Sequence, residues 1–219
     1  MSSSDKVAVL VSGGMDSSVL LSTFLKQGFQ VFPVYIKHGL LWESVELEYL
    51  AKYLAAVQQE RLAPLQILDL PVVDLYDAHW SLSGENVPDE YSEDEAVYLP
   101  GRNLLLLAKM GVWCSLRGIH KVALASLKGN PFSDNSDEFY QSMSKSIEIA
   151  LGWPVEILRP FSKLSKSDVI KTAAGLPLAL TFSCIKPINH LHCGHCNKCA
   201  ERKLAYQLLG LADETKYFN

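Results

Sequence analysis

An apolar run broken by Ser-Gly-Gly and followed at once by helical periodicity leaves a chain few folds to choose from. Residues 7–11 (VAVLV) are continuously apolar, as in a strand covered on both faces. Leu20, Leu21, Phe24 and Leu25 then recur at helical spacing, and Gly28 supplies the stop. Residues 30–36 form a second strand-like run. Leu47, Leu50, Ala51 and Leu54 mark a helix face, with Glu48 and Lys52 as an outward i,i+4 pair. Further strands are expected at 65–70, 121–126 and 155–158. A buried helix is expected at 103–116, and another through Ala150, opened by a capping box of Asn135 and Glu138. This alternation predicts an α/β fold, a doubly wound and mostly parallel sheet covered on both faces.

Residues 77–98 interrupt the pattern with Gly84, Pro88 and the carboxylates Asp77, Glu85, Asp89, Glu90, Glu93, Asp94 and Glu95. They read as a long surface excursion with short helical turns. Loops of that length are functional or disordered; a solvated acidic loop is the plain alternative. The length of 219 residues suits one α/β domain, 1–180, with a C-terminal segment, 181–219, packed on it. A net charge of −4 argues against nucleic acid as a partner. No run approaches the ~18 apolar residues of a membrane span. The short polar N-terminus, Met1 to Ser4, lacks the features of a secretory signal. The expected compartment is the cytoplasm, where thiols stay reduced.

Ser12-Gly13-Gly14-Met15-Asp16-Ser17-Ser18 lies between the first strand and the first helix. Glycines let backbone N–H groups turn toward an anion, and the helix N-terminus adds positive potential. The three serines add donors. Asp16 repels a phosphate unless a cation such as Mg²⁺ bridges the two. The alternative is a glycine turn with an ordinary helix cap. Neither GxxxxGK[ST] nor GxGxxG is present, so this is neither a Walker loop nor a dinucleotide fingerprint.

Cys184, Cys193, Cys196 and Cys199 form a second signal, two C-x-x-C spacings sharing Cys196 with one cysteine upstream. Four thiolates suit closed tetrahedral Zn²⁺; an iron–sulfur cluster is the alternative. His190, His192 and His195 crowd the segment and are read as exposed or supporting residues. Cys114 is read as core. Ser165-Lys166-Ser167-Asp168 reads as a capping box for a helix ending near Gly175. Lys166 then falls in the first turn, where the helix dipole disfavours a cation and a nearby phosphate would offset that.

SGGMDSS resembles the pyrophosphate-loop signature SGGxDS of the ATP pyrophosphatase superfamily. Three more stretches resemble the 7-cyano-7-deazaguanine synthase family: Leu99-Pro-Gly-Arg-Asn103, Arg159 to Ile170 (RPFSKLSKSDVI), and Thr181-Phe-Ser-Cys184 just before CxxCxxC. The resemblance implies a Rossmann-like, adenine-nucleotide-hydrolase-like fold. It implies ATP held by Val11, Ser12, Gly13, Gly14, Met15, Asp16, Ser17, Ser18 and Lys166, with Mg²⁺ beside Asp16 and zinc on the four cysteines. It also implies a ligase chemistry releasing AMP and pyrophosphate, with Asp16, Lys166 and Arg102 as the catalytic set and a small carboxylated acceptor plus ammonia as substrates. A homodimer is implied as well. Arg102, Asn103 and Asp134 are the candidates for the acceptor, Arg102 for its carboxylate and Asp134 for a guanine-like edge. The chain departs from the family at His38-Gly-Leu-Leu-Trp-Glu43, where G-Q-R-H-x-x-E is usual, and at Lys128 to Asp137, where D-Y-S-G-Y-P-D-C-R is usual. Competing functions are an adenylating paralogue with another acceptor, a tRNA thiolase and a nucleotide-binding regulator.

Overall fold

A computed structural model describes residues 5–218; the N-terminal residues 1–4 discussed above, and Asn219, lie outside the described residues. In chain order the elements are β1 (Lys6–Leu10), α1 (Met15–Lys26), β2 (Gln30–Lys37), α2 (Glu43–Ala56), β3 (Gln66–Asp69), α3 (Val73–Tyr76), α4 (Trp80–Ser83), α5 (Arg102–Ser115), β4 (Lys121–Ala123), α6 (Asp137–Leu151), β5 (Glu156–Leu158), α7 (Lys166–Thr172) and α8 (Asn197–Leu209). The five strands form one sheet of order β3-β2-β1-β4-β5, and every pairing is parallel.

The first strand is central, which explains its unbroken apolar run. Val7, Ala8 and Val9 are all fully buried. Their side chains alternate across the sheet, as the pleat requires. Val7 and Val9 join Leu20, Leu50, Tyr53, Val169 and Ala205, from α1, α2, α7 and α8. Ala8 joins Leu107, Met110, Met143 and Ile147, from α5 and α6. The chain winds from β1 outward to β3, then returns to place β4 on the other side of β1. Ligands bind at such a reversal, beyond the carboxyl ends of the strands. A third cluster, outside the sheet, packs Trp42, Val45, Tyr49, Val97 and Phe182 with the four cysteines.

The expected elements are present, with three instructive shifts. β4 ends at Ala123 rather than at 126, because the following residues line a cavity. α6 is capped by Ser136, whose hydroxyl accepts the Phe139 N–H. Asn135 was expected in that role, but its side chain is taken by the Ser126 and Tyr140 hydroxyls. α7 stops at Thr172, short of Gly175. The acidic excursion holds α4 and a 3₁₀ turn at Asp94–Val97. It docks on α8, where the Asn197 N–H donates to Pro88 O at 3.1 Å and Asn197 Nδ2 donates to Ser92 O at 2.8 Å. Among the described residues no helix is long and apolar enough to cross a membrane.

Candidate active site

The loop after β1 is shaped by its neighbours. Gly13 has φ +73°, and a Cβ there would stand 2.8 Å from the Glu46 carbonyl oxygen of α2. Only glycine fits so close a backbone approach. From the other side, the Phe182 N–H donates to Gly13 O at 2.7 Å. Ser17 Oγ accepts the Ser12 N–H at 3.2 Å and donates to Gly14 O at 3.2 Å. Val11 is tied to the sheet by its N–H to Val34 O at 3.0 Å. The N-cap of α1 is Gly14, which offers no side-chain cap, so the helix's first N–H groups remain available to an anion. Ser18 Oγ is buried and unpartnered.

Asp16, in the first turn of α1, receives Lys166 Nζ on Oδ2 at 2.6 Å. Its other oxygen, Oδ1, is buried without a hydrogen-bond partner. A buried orphan acceptor beside an anion-binding loop fits a bound cation. Lys166 also lies 3.4 Å from Glu201 of α8, which takes Lys198 at 2.9 Å. Burial would lower the Lys166 ammonium, but Asp16 and Glu201 outweigh it and hold it above its ordinary value. Burial would raise Glu201, but Lys166 and Lys198 pull it down to about 2.

The expected capping box is present: Ser165 and Asp168 satisfy each other's backbone N–H groups at the start of α7. Lys166 therefore enters the site from a fixed first turn. Arg102 does the same from α5, with its Nε buried and unpartnered. The first turns of α1, α5 and α7 thus bring Asp16, Arg102 and Lys166 around one cavity of about 430 Å³. Trp42, Trp80, Phe132 and Phe182 supply its aromatic lining. A second cavity of about 220 Å³ shares Ser12, Gly14, Asp16 and Arg102, and is closed by Ser126, Asn135 and Tyr140. It also includes Leu10 and Leu124, at the ends of β1 and β4, and so lies at the winding reversal.

Asp134 is placed differently from its reading as a substrate carboxylate. Its Oδ2 accepts the Asn103 N–H at 3.0 Å and its Oδ1 accepts Asn103 Nδ2 at 3.3 Å, while its carbonyl takes the same amide at 3.0 Å. It anchors the start of α5 and lines neither cavity. Asn103 is its partner and lines the smaller cavity.

The four cysteine Sγ atoms lie within 4.8 Å of one another, and all four residues are buried. Cys193 to Cys199 is 3.9 Å and Cys184 to Cys196 is 3.8 Å. A tetrahedron with metal–sulfur bonds of ~2.3 Å has edges of about 3.8 Å, whereas a disulfide needs ~2.05 Å. The N–H groups of Lys186 and Cys193 donate to Cys184 Sγ, and those of His195 and Cys196 to Cys193 Sγ. Donors to sulfur favour thiolates, and the cluster could hold a metal ion. The histidines are not needed for it. His190 is exposed and pairs with Glu48 at 2.8 Å, and His195 stands 3.8 Å from Glu90. His192 is fully buried, its Nε2 accepting the Ser183 N–H at 3.1 Å. Burial pushes it down to about 3. Cys114 is isolated in the core, its thiol pushed up by burial to about 12.

Several residues escaped sequence reasoning. Glu46, on the core-facing side of α2, lines the larger cavity and accepts the Tyr35 hydroxyl at 2.7 Å. Lys198, between Cys196 and Cys199, and Glu201, two residues past Cys199, sit at i,i+3 spacing. Arg202 is fully buried. It donates to Thr215 Oγ1, Thr181 Oγ1, Ser183 Oγ and Leu178 O, binding α8 to the segment before Cys184. Nothing in its sequence neighbourhood announces that role.

The chain is similar to known proteins in sequence and in fold. The chain is 31% identical over 209 residues to 7-cyano-7-deazaguanine synthase 1 of Desulfitobacterium hafniense (strain Y51), covering 93% of this chain and 92% of that one. It is 30% identical to 7-cyano-7-deazaguanine synthase 2 of Sulfurisphaera tokodaii, covering 98% of this chain but only 48% of that longer protein. Among solved structures, a predicted subunit of tRNA methyltransferase from Methanocaldococcus jannaschii shares the fold. Its TM-score is 0.51 at 16% identity, over 77% of this chain and 74% of that one. A 4-thiouridine synthetase solved with RNA and bound ATP gives a TM-score of 0.50 at 16% identity, over 94% and 51% of the two chains. The family model described as queuosine biosynthesis protein QueC matches residues 6–210, and the chain belongs to that family.

Proposed function

We propose that this protein is an ATP-dependent carbon–nitrogen ligase that converts 7-carboxy-7-deazaguanine and ammonia to 7-cyano-7-deazaguanine, a queuosine precursor, releasing AMP and pyrophosphate. The observation that carries the reading is the convergence of Asp16, Arg102 and Lys166 on the SGGMDSS loop of a QueC-family chain. ATP would lie across the loop, with its phosphates on residues 12–18 and its adenosine in the smaller cavity at the winding reversal. The acceptor would occupy the larger cavity. Arg102 lines both and has an unpartnered Nε, which suits it to hold the acceptor carboxylate against the α-phosphate. Lys166 would trade part of its contact with Asp16 for a phosphate oxygen. Asp16 Oδ1 would hold Mg²⁺, which neutralises phosphate charge when bound.

The carboxylate oxygen attacks the α-phosphorus, and the bond to pyrophosphate breaks. Ammonia then displaces AMP from the acyl adenylate to give the amide. A second ATP activates the amide oxygen, and loss of AMP leaves the nitrile. The residues bind, orient and exclude water; no side-chain nucleophile is required. Zinc on Cys184, Cys193, Cys196 and Cys199 is assigned a structural role, with residues 181–219 clasped onto the α/β body of 1–180. A homodimer in the cytoplasm, without membrane or nucleic-acid partners, completes the proposal.

Product analysis tests it. Purified protein with ATP, Mg²⁺, ammonium and 7-carboxy-7-deazaguanine is expected to yield AMP, pyrophosphate and the nitrile. Release of ADP and phosphate would overturn the chemistry. ATP binding without turnover of this acceptor would point to a paralogue with another acceptor, a reading favoured by the altered stretches at 38–43 and 128–137.

A further inference from the structure

A guanine-like acceptor presents two adjacent donors, a ring N–H and an exocyclic amino group, and one carboxylate can accept both. Four carboxylates line the larger cavity: Asp16, Glu46, Asp94 and Glu201. Asp16 and Glu201 are engaged by Lys166. Asp94 is exposed on the acidic excursion. Glu46 alone is buried and free of any ion pair within 4 Å, at 8% exposure on the first turn of α2. The Tyr35 hydroxyl donates to its Oε2 at 2.7 Å. A carboxylate accepts about four hydrogen bonds, so this donor leaves capacity toward the cavity. Beside it, Trp42 is stacked on Trp80 with ring centroids 5.7 Å apart, a flat wall suited to a fused heterocycle.

We propose that Glu46, oriented by Tyr35 and flanked by Trp42, accepts the ring N–H and amino donors of the acceptor and thereby selects 2-amino-substituted deazapurines. The assignment rests on the function proposed above and fills the place that Asp134 leaves vacant. Burial pushes the Glu46 carboxyl up to about 8, with Glu43 adding to the rise and Arg102 and Tyr35 opposing it. Its present partners therefore do not repay its desolvation. Two N–H donors from a bound ring would favour the carboxylate. A buried acid on a cavity wall, free of any ion pair, is placed to meet a ligand.

The test compares 7-carboxy-7-deazaguanine with its analogue lacking the 2-amino group, in the parent and in Glu46→Gln, reading kcat/KM for each and KM for ATP. The parent is expected to favour the amino compound by about tenfold to a hundredfold, as for a hydrogen bond to a charged group. In Glu46→Gln the ratio is expected to fall to within about threefold, with KM for ATP unchanged. A ratio that survives Glu46→Gln, or a parent that does not discriminate, overturns the assignment of Glu46 and leaves the ligase reading intact. A parent that turns over neither compound overturns both. If Glu46→Gln does not fold, Tyr35→Phe serves instead: it keeps the carboxylate but removes its anchor, and an undiminished ratio in that variant overturns the assignment equally.

Discussion

Asp16 has no electrostatic reason to stand beside a phosphate loop unless a cation joins it. The structure pairs one of its oxygens with Lys166 and leaves the other buried and unpartnered. Asp16→Ala is therefore expected to keep its fold and to lose turnover by a hundredfold or more (~10²), read by ATP–pyrophosphate exchange alongside a thermal melt. Arg102→Ala should weaken catalysis more than Asp134→Ala, because Arg102 lines both cavities whereas Asp134 anchors α5. The second variant should instead lose stability, by about 1 to 2 kcal/mol, as at other lost helix caps. Glu46 gives a pH signature. Its carboxyl sits near 4.5 ordinarily and about 8 in the folded protein. The unfolded chain ionises first as pH rises, so this group's contribution to stability falls between about pH 4.5 and pH 8 and is level beyond. Glutamine does not titrate. Glu46→Gln should thus melt higher than the parent at pH 8, with the gap closing toward pH 4.5. A constant gap across that window would contradict the burial.

Elements were legible where local chemistry decides them. The Ser165–Asp168 box fixes the start of α7 from four residues. The cap of α6 was not, because Ser126, nine residues earlier and beyond the end of β4, captures Asn135 and leaves Ser136 to do the capping. The glycine in α5 follows the same rule. Gly111 lies inside the helix, where alanine is favoured by about 1 kcal/mol. Yet a Cβ at Gly111 would stand 2.9 to 3.0 Å from three side-chain atoms of Ile147 on α6. Gly111→Ala should therefore destabilise, by about 1 to 2 kcal/mol net, and adding Ile147→Val should recover part of the loss. Chemical denaturation of the single and double variants decides it. The cysteine segment was legible by spacing, and the four sulfurs do converge. The acidic excursion was legible only as a gap in the pattern, since Asn197 of α8, which holds Ser92, lies 105 positions away in sequence.

At the scale of the molecule, the parallel alternation was readable because β1 is buried on both faces through the unbroken apolar run Val7, Ala8 and Val9. The convergence on the site was less so. Glu46 and Arg202 meet their partners only after folding, across element boundaries that periodicity does not cross. The arrangement also couples the cysteine cluster to the Ser12–Ser18 loop. Phe182, whose N–H braces Gly13, lies two residues before Cys184, and Glu201, which shares Lys166, lies two residues after Cys199. Replacing Cys193 with serine is expected to lower bound zinc from about one per chain and to destabilise the fold, as at other structural sites. It should also raise KM for ATP. Metal analysis and ATP titration of the same sample check both. A fully folded, metal-free parent would contradict the structural assignment.

The pairing of Asp16 with Lys166 spans 150 positions of sequence. On a ribosome, the Ser12–Ser18 loop emerges well before Lys166, Phe182 and Glu201, which complete its surroundings. Its strand must wait for β4 to supply one neighbour, and the loop must wait longer for Lys166, Phe182 and Glu201. Contacts of such long range form slowly, and a growing chain exposes unpaired strand edges meanwhile. A nascent fragment ending near residue 165 would carry every strand of the sheet and still lack the cation that faces Asp16. The Ser12–Ser18 loop thus gains its last neighbours only after the whole sheet has been made.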